Sequence, residues 1–253
     1  MRRGLAVVLA AALAAGTVTA TAASAGAAAR CTWSRDGNLG PYHYRPITAS
    51  NGSNTYVEPN QWGVGGHRGA RQHTCARSPG HWHVRARMPR GNTAVLTYPN
   101  VAQILTGTAS VGRPVSALRR VTSRYAERTP AGRGEHLEFA WDIWSSRTGG
   151  GPDEIMIWVD NRGQRPAGRV TGHARVYGQR WAVWSGDGPV SLVLNHRQRA
   201  GVVHILALLR WLVRHRYMRA SATVDLVQAG WELCSTAGRW RTFRVTRYNL
   251  ITR

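Results

Sequence analysis

Lysine is absent from the 253-residue sequence and acidic residues are scarce: all 34 basic residues are arginine, against 12 aspartates and glutamates, giving a formal net charge of +22. A strongly basic chain suggests nucleic acid as a partner, because clustered arginines neutralise phosphates. Here the arginines are scattered singly or in pairs such as Arg119 and Arg120, without a run of five or a nucleic-acid motif. We therefore interpret the charge as a bias of the whole chain and expect no specific nucleic-acid partner.

A long apolar run is also missing. The strongly apolar stretch, Leu5 to Ala15, falls short of the roughly 20 residues that span a bilayer. Arg2 and Arg3 precede it and small residues follow it at 23–25, an order typical of a cleavable secretion signal. We predict residues 1–25 to be a signal peptide, with cleavage as late as residue 29. The mature protein would be secreted and extracellular, with no membrane attachment.

Cysteine is rare, with three residues, and an exported chain oxidises any two that meet in the fold. We expect Cys31 to pair with Cys75, which leaves Cys234 as a buried small hydrophobe. The cysteines lack the spacing of a metal site. The densest group of histidines consists of His67, His73, His81 and His83. We expect these histidines in surface loops, and we expect neither a metal nor a cofactor.

Short apolar stretches alternate with Gly, Pro, Asn, Ser and Thr, which predicts many strands joined by turns. Residues 112–134 are the best candidate for a long loop. One segment differs: Val202 to Arg216 is Leu-rich with apolar residues at helical spacing, which predicts an amphipathic helix. Composition and patterning therefore predict one mostly β domain over residues 31–253.

Three predicted strands carry carboxylates among large apolar neighbours. Residues 137–144 alternate, with Asp142 on the face opposite Leu137, and residues 154–159 place Glu154, Met156 and Trp158 on one face. Residues 222–233 end near Glu232, on the same side as Gln228.

Burying a carboxylate in such surroundings costs several kcal/mol unless it is paired or protonated, so both glutamates call for an explanation. A retaining glycosidase supplies one, because it needs two carboxyl groups about 5 to 5.5 Å apart, one ionised and one protonated. Neighbouring strands could hold Glu154 and Glu232 in such a pair. An isolated glutamate in a strand is more often simply an edge or salt-bridged residue.

Several motifs resemble glycoside hydrolase family 12. The run Glu154-Ile155-Met156-Ile157-Trp158 is similar to that family's nucleophile strand, which reads Glu, aliphatic, Met, Ile, Trp. Residues 140–144 resemble its strand with an aromatic residue before Asp, and residues 227–232 resemble its segment Val-Gln-Ala-Gly-x-Glu. Residues 59–63 are similar to Asn-Asn-x-Trp-Gly, although Pro59 replaces the first Asn. The resemblance covers residues 31–253.

The resemblance implies a β-jelly-roll sandwich of two antiparallel sheets, with a concave cleft and one helix on the outer side. It implies that Glu154 is the nucleophile, Glu232 the general acid/base and Asp142 the neighbour of the nucleophile. Asp142 would either hydrogen-bond to Glu154 or form a salt bridge with an arginine. The expected sugar-contacting residues are Asn60, Trp62, Met156 and Trp158, although Met156 is equally well explained as core. Trp144 and Trp184 are further candidates for stacking.

The implied activity is endo-hydrolysis of cellulose-like β-1,4-glucan with retention of configuration, by a secreted monomer. The sequence leaves open a xyloglucan-specific hydrolase of the same family and a non-catalytic carbohydrate-binding protein with the same cleft. A third alternative is a cationic protein that adheres to anionic wall polymers through its arginines.

Overall fold

A computed structural model describes residues 30–33, 48–50, 53–105, 113–145 and 154–253. The expected signal peptide lies outside these ranges, so its prediction stays untested. Within the described ranges, helices of the length and apolarity needed to cross a membrane are absent.

Strands dominate the structure and form two large sheets. The six-stranded sheet contains, in spatial order, β1 (Arg30–Trp33), β4 (Arg71–Ser78), β5 (His81–Arg87), β17 (Arg241–Thr252), β8 (Val121–Arg128) and β14 (Ala200–Val203). All neighbouring strands in it are antiparallel.

The second sheet is nine-stranded and carries the predicted carboxylates. Its spatial order is β11 (Arg169–Val176), β12 (Gln179–Ser185), β13 (Val190–Leu194), β10 (Glu154–Arg162), β9 (His136–Trp144), β16 (Leu226–Ser235), β6 (Asn100–Ile104), β3 (Ser53–Glu58) and β2 (Thr48–Ser50). Its pairs are antiparallel except β10 with β13, which run parallel. A two-stranded ribbon joins β7 (Arg113–Pro114) to β15 (Thr223–Val224).

The core lies between the two large sheets. Residues 137, 139, 141 and 143 on β9 are fully buried, as their alternation predicts. Phe139 stacks on Tyr125 of β8 with ring centroids 5.7 Å apart, and Trp231 of β16 meets Trp82 of β5 edge-on at 5.3 Å. The opposite side chains of the nine-stranded sheet therefore point away from the six-stranded sheet. We call that outward surface the site face.

The predicted helix exists but is shorter than expected. Helix α1 spans Ile205–Arg214, and Val202 belongs instead to β14, where it pairs with Arg124 of β8. Its apolar stripe is buried, as helical spacing predicts, and it packs against β8 and β11 at the side of the sandwich.

Two other expectations were wrong in detail. Residues 112–134 do not form a long loop, because β8 occupies their middle and pairs with both β14 and β17. The four histidines are not confined to loops either: His73 lies on β4, and His81 and His83 lie on β5.

The expected disulfide is confirmed. Cys31 of β1 stands directly opposite Cys75 of β4, and their sulfur atoms are bonded. A cross-link closing a loop of this length contributes about 4 kcal/mol, mainly by restricting the unfolded chain. Cys234 is free and buried, also as expected.

Candidate active site

The central strand β9 sets the register of the candidate site. Its Asp142 stands opposite Met156 on β10 and opposite Gln228 on β16. Because antiparallel partners point to the same side, and because parity alternates along each strand, Glu154 and Glu232 both project from the site face. The strands that carry these glutamates are the two neighbours of β9.

Glu154 and Glu232 form the partly accessible pair of the site. Burial and the charge of Glu232 raise the pKa of Glu154 to about 7. Burial also raises the pKa of Glu232. Glu154 is paired with Trp144 of β9, and Glu232 is paired with Glu138 of the same strand. The two glutamates are therefore six residues apart along β9. The charge of Glu232 nevertheless acts on Glu154, and the charges of both glutamates act on Asp142.

Asp142 lies between the two glutamates and is buried. Burial, followed by the charges of Glu154 and Glu232, raises the pKa of Asp142 well above its ordinary range. It hydrogen-bonds to Glu154 and thereby lowers the pKa of that residue, opposing the effect of burial. This is the first of the two contacts that the sequence left open. The groups that shift the pKa of Asp142 do not include an arginine.

Glu138 is a site residue that the sequence analysis did not single out. It is fully buried opposite Glu232 on the neighbouring strand, and its carboxyl oxygens accept no hydrogen bond from the conventional donors of the described residues. Burial and the adjacent Glu232 raise its pKa well above the ordinary range. A hydrogen bond between the Glu138 and Glu232 carboxyl groups raises the pKa of Glu138 and lowers that of Glu232. Such a bond requires one of the two carboxyl groups to carry a proton. Glu138 lies four residues before Asp142 on β9, so the alternation of the strand already places both side chains on the same face.

A chain of hydrogen bonds runs across the site face beside the carboxyl pairs. The Trp144 indole Nε1 donates to Gln228 Oε1 at 2.7 Å, and Gln228 Nε2 donates to Glu58 Oε1 at 2.5 Å. Burial raises the pKa of Glu58 to about 7. The chain fixes the ring of Trp144, which is 39% exposed and faces Glu154 in the register. Sequence patterning had not connected Glu58 with this site.

The backbone beside the acid/base candidate is tightly packed. A Cβ at Gly230 would lie 2.1 Å from the Pro99 carbonyl oxygen and 2.7 Å from Asn100 Cα. Glycine is required here so that β16 can approach the chain entering β6. The close approach holds the strand of Glu232 against its neighbour.

The expected sugar-contacting residues fall into two groups. Met156 and Trp158 lie on the site face but are almost fully buried, in a small cluster with Ala140. Trp62 is 48% exposed in the turn after β3. Asn60 occupies the same turn with a φ of 35°, and its carbonyl accepts hydrogen bonds from the Tyr98 amide and the Thr97 hydroxyl.

Potential metal ligands cluster at one place in the described part of the chain. Cys31, His73 and Cys75 offer atoms within 4.8 Å of one another. The two sulfurs are bonded to each other, so they are not thiolate ligands.

Residues 53–248 match the sequence model of glycosyl hydrolase family 12. No curated protein matches the chain significantly. The fold is similar to a native family 12 xyloglucanase from Bacillus licheniformis, with a TM-score of 0.72 and 17% identity over 88% of this chain and 100% of that one.

Two further solved structures show the same fold. The endoglucanase cel12A from Rhodothermus marinus has a TM-score of 0.69 and 21% identity over 89% of this chain and 99% of that one. The xyloglucanase domain of NopAA from Sinorhizobium fredii, solved with cellobiose, has a TM-score of 0.67 and 21% identity, covering 84% of this chain and 100% of that one.

Proposed function

Because the chain belongs to glycosyl hydrolase family 12, we propose that it is a secreted, monomeric endo-β-1,4-glucanase that cleaves cellulose-like glucan with retention of configuration. The observation that carries the proposal is that two partly accessible glutamates, Glu154 and Glu232, project from one sheet face on the two strands that flank Asp142. Each member of the pair contacts a further buried carboxyl. Such a pair can hold one proton and one charge, as retaining hydrolysis requires.

In the first step Glu154 attacks the anomeric carbon while protonated Glu232 gives its proton to the departing glycosidic oxygen. A glycosyl ester of Glu154 and a new sugar hydroxyl result. In the second step Glu232 takes a proton from water, the water oxygen attacks the same carbon, and the ester bond to Glu154 breaks. Two inversions at one carbon retain its configuration.

The coupling between the two carboxyls explains how Glu232 serves first as acid and then as base. While Glu154 is ionised, its charge disfavours a second charge nearby and keeps the proton on Glu232. Ester formation removes that charge, so the pKa of Glu232 falls when a base is needed.

Two buried acids would position the reacting pair. Protonated Asp142 donates to Glu154, which holds the nucleophile ionised and fixes its orientation. Glu138 hydrogen-bonds to Glu232 and lowers its pKa against the effect of burial. Each reacting carboxyl thus has its own neutral partner. We assign Asp142 and Glu138 as positioning residues.

Exposed aromatic rings would supply the sugar platforms. Trp62 and Trp144 present flat surfaces that suit the apolar faces of glucosyl rings. Met156 and Trp158 would act beneath the sugar as a rigid floor, because both are buried on the site face. The Asn60 side chain completes this set at the turn that carries Trp62.

Secretion is supported by the Cys31–Cys75 disulfide, since such bonds persist in oxidising compartments. The structural likenesses include an endoglucanase and xyloglucanases, and both substrates share the β-1,4-glucan backbone. We propose the unbranched glucan first, with xyloglucan as the alternative within the same mechanism.

The test is release of reducing sugar from soluble cellulose and from xyloglucan by the full chain, with Glu154→Gln and Glu232→Gln. Each substitution removes an essential proton donor or nucleophile, so we expect a loss of at least about 1,000-fold on the better substrate. Asp187→Asn is the matched control, because Asp187 is an exposed carboxylate that is not among the groups that shift the pKa of Glu154 or Glu232. Proton NMR of the first product should show the β-anomer.

Near-normal activity of either glutamine variant would overturn the assignment of that residue. Sugar binding by the unmodified chain without any product release would favour the carbohydrate-binding alternative. An initial α-anomer would contradict retention while leaving hydrolysis intact.

A further inference from the structure

A basic groove of about 710 Å³ lies at the side of the sandwich, where α1 packs against β8 and β11. Five arginines contribute to its lining: Arg119, Arg120, Arg175, Arg210 and Arg214. They come from three separate parts of the chain, the segment before β8, the strand β11 and the helix α1. The fold therefore assembles charge that the sequence presents only as scattered residues.

Acidic side chains do not balance the charge of the groove, although the Arg253 main-chain oxygen accepts hydrogen bonds from the Arg119 and Arg120 amides. Acidic residues are absent from its lining, and the ion pairs found in the described part of the chain do not involve any of the five arginines. Arg210 and Arg214 lie one turn apart on the same side of α1, so their charges repel. The Arg210 guanidinium also donates to the Leu118 carbonyl at 2.8 Å.

An aromatic platform adjoins the arginines. Tyr177, in the turn between β11 and β12, stacks on His204 with ring centroids 3.8 Å apart and planes 14° from parallel. Tyr177 is 70% exposed. Its backbone has the left-handed conformation required at this position of the turn, with a φ of 49°. One face of the tyrosine ring is thus covered by His204 and the other is free.

This combination selects a class of ligand. Guanidinium groups bind carboxylates and phosphates through paired hydrogen bonds, and a free tyrosine face suits a pyranose ring. A single-stranded nucleic acid would use several aromatic side chains for successive bases, whereas the groove presents one such platform beside aliphatic residues. We propose that this groove binds a carboxylate-bearing polysaccharide, with Tyr177 under a sugar ring and the arginines on its carboxylates.

The groove is separate from the candidate active site. The strand order places β12 and β13 between β11 and β10, and the groove lining includes none of the residues assigned to catalysis or sugar contact on the site face. Binding there therefore does not depend on the proposed hydrolysis. An acidic polymer would anchor the protein while the site face remains available.

The experiment measures binding of polygalacturonate to the full chain by calorimetry, with fully methyl-esterified polygalacturonate as the uncharged comparison. We expect binding to the acidic polymer alone, weakening by more than about tenfold between low and moderately high salt because exposed charges are screened. The double variant Arg175→Gln with Arg214→Gln should weaken it at least about tenfold. Both residues are exposed, so folding should be preserved.

Matched controls separate the groove from the general charge. Arg244→Gln with Arg247→Gln also removes two positive charges, from exposed positions on β17, and should change affinity less than about twofold. Tyr177→Asn removes the ring while suiting the left-handed backbone, and should weaken binding several-fold. Hydrolysis of neutral glucan should be unchanged in the groove variants.

Three outcomes would overturn the proposal. Equal losses in the two double variants would assign binding to net charge. Binding of inorganic polyphosphate or single-stranded DNA as tight as that of polygalacturonate would replace the saccharide with a phosphate polymer. Equally tight binding of the methyl-esterified polymer would show that binding does not depend on contacts between arginines and carboxylates.

Discussion

Replacing Glu58 with glutamine should stabilise the protein at alkaline pH and leave its stability at acidic pH almost unchanged. Glu58 is 1% exposed on β3 and accepts a hydrogen bond from Gln228. Burial raises its pKa from an ordinary value of 4.5 to about 7, although hydrogen bonds from Asn100 and Gln228 lower it. A glutamine carbonyl could accept the same bond without a charge to bury.

The free energy of unfolding depends on pH because the pKa of Glu58 differs between the folded and unfolded states. A carboxyl with a raised folded-state pKa binds its proton more tightly in the native state, so its contribution to stability is fully present below pH 4.5. That contribution is lost as pH rises through about 7. At about 1.4 kcal/mol per pH unit, the wild type loses ~3 kcal/mol through Glu58 by pH 8. The glutamine variant avoids this loss, and its Tm at pH 8 should exceed that of the wild type by roughly 6 to 12 °C.

The assay is urea and thermal unfolding of both proteins at about pH 4 and pH 8. Because the other carboxyls titrate in both proteins, the difference between variant and wild type isolates Glu58. Asp187→Asn, at an exposed position, is the control and should show no such pH-dependent difference. A Glu58→Gln effect that is equal at the two pH values would refute the claim that Glu58 is a buried acid with a raised pKa.

Three other predictions concern the site face. Asp142→Leu removes the hydrogen-bond donor to Glu154, so kcat/KM should fall ~10- to 100-fold. The acidic limb of its pH–rate profile should also move up by about 1 to 2 pH units, whereas Asp142→Asn should retain most activity. Gly230→Ala should destabilise the fold by about 3 kcal/mol or more in chemical unfolding, because the added Cβ meets the Pro99 carbonyl. Trp62→Ala should raise KM ~3- to 10-fold on soluble glucan with little change in kcat, if the exposed ring is a sugar platform.

Parity along strands made much of the site predictable from the sequence. The alternation in residues 137–144 and 154–159 correctly assigns one face to the core and the other to Asp142 and Glu154. The motif resemblance supplied what parity could not, the adjacency of strands far apart in the chain. Register then follows from which face must be buried, since a slip of one residue would turn every carboxylate inward.

Other features depended on contacts that local patterns do not encode. Strand β8 was mistaken for loop because its outward arginines interrupt the apolar residues, although pairing with β14 and β17 makes it a strand. The helix start was placed too early because Val202 fits the helical stripe, but its backbone pairs with β8. The partnership of Glu138 with Glu232 required the register across β16, which a single strand does not specify.

The distribution of charge connects the two proposed surfaces. Five of the 12 acidic residues gather on the site face, namely Glu58, Glu138, Asp142, Glu154 and Glu232. None of them lies in the basic groove. An ionised nucleophile beside further acids repels anionic polymers, so the site face favours a neutral glucan, while the groove favours an acidic one. If both proposals hold, the protein attaches to one polysaccharide of a mixed material and cuts another, and the excess of arginine serves adhesion without hindering catalysis.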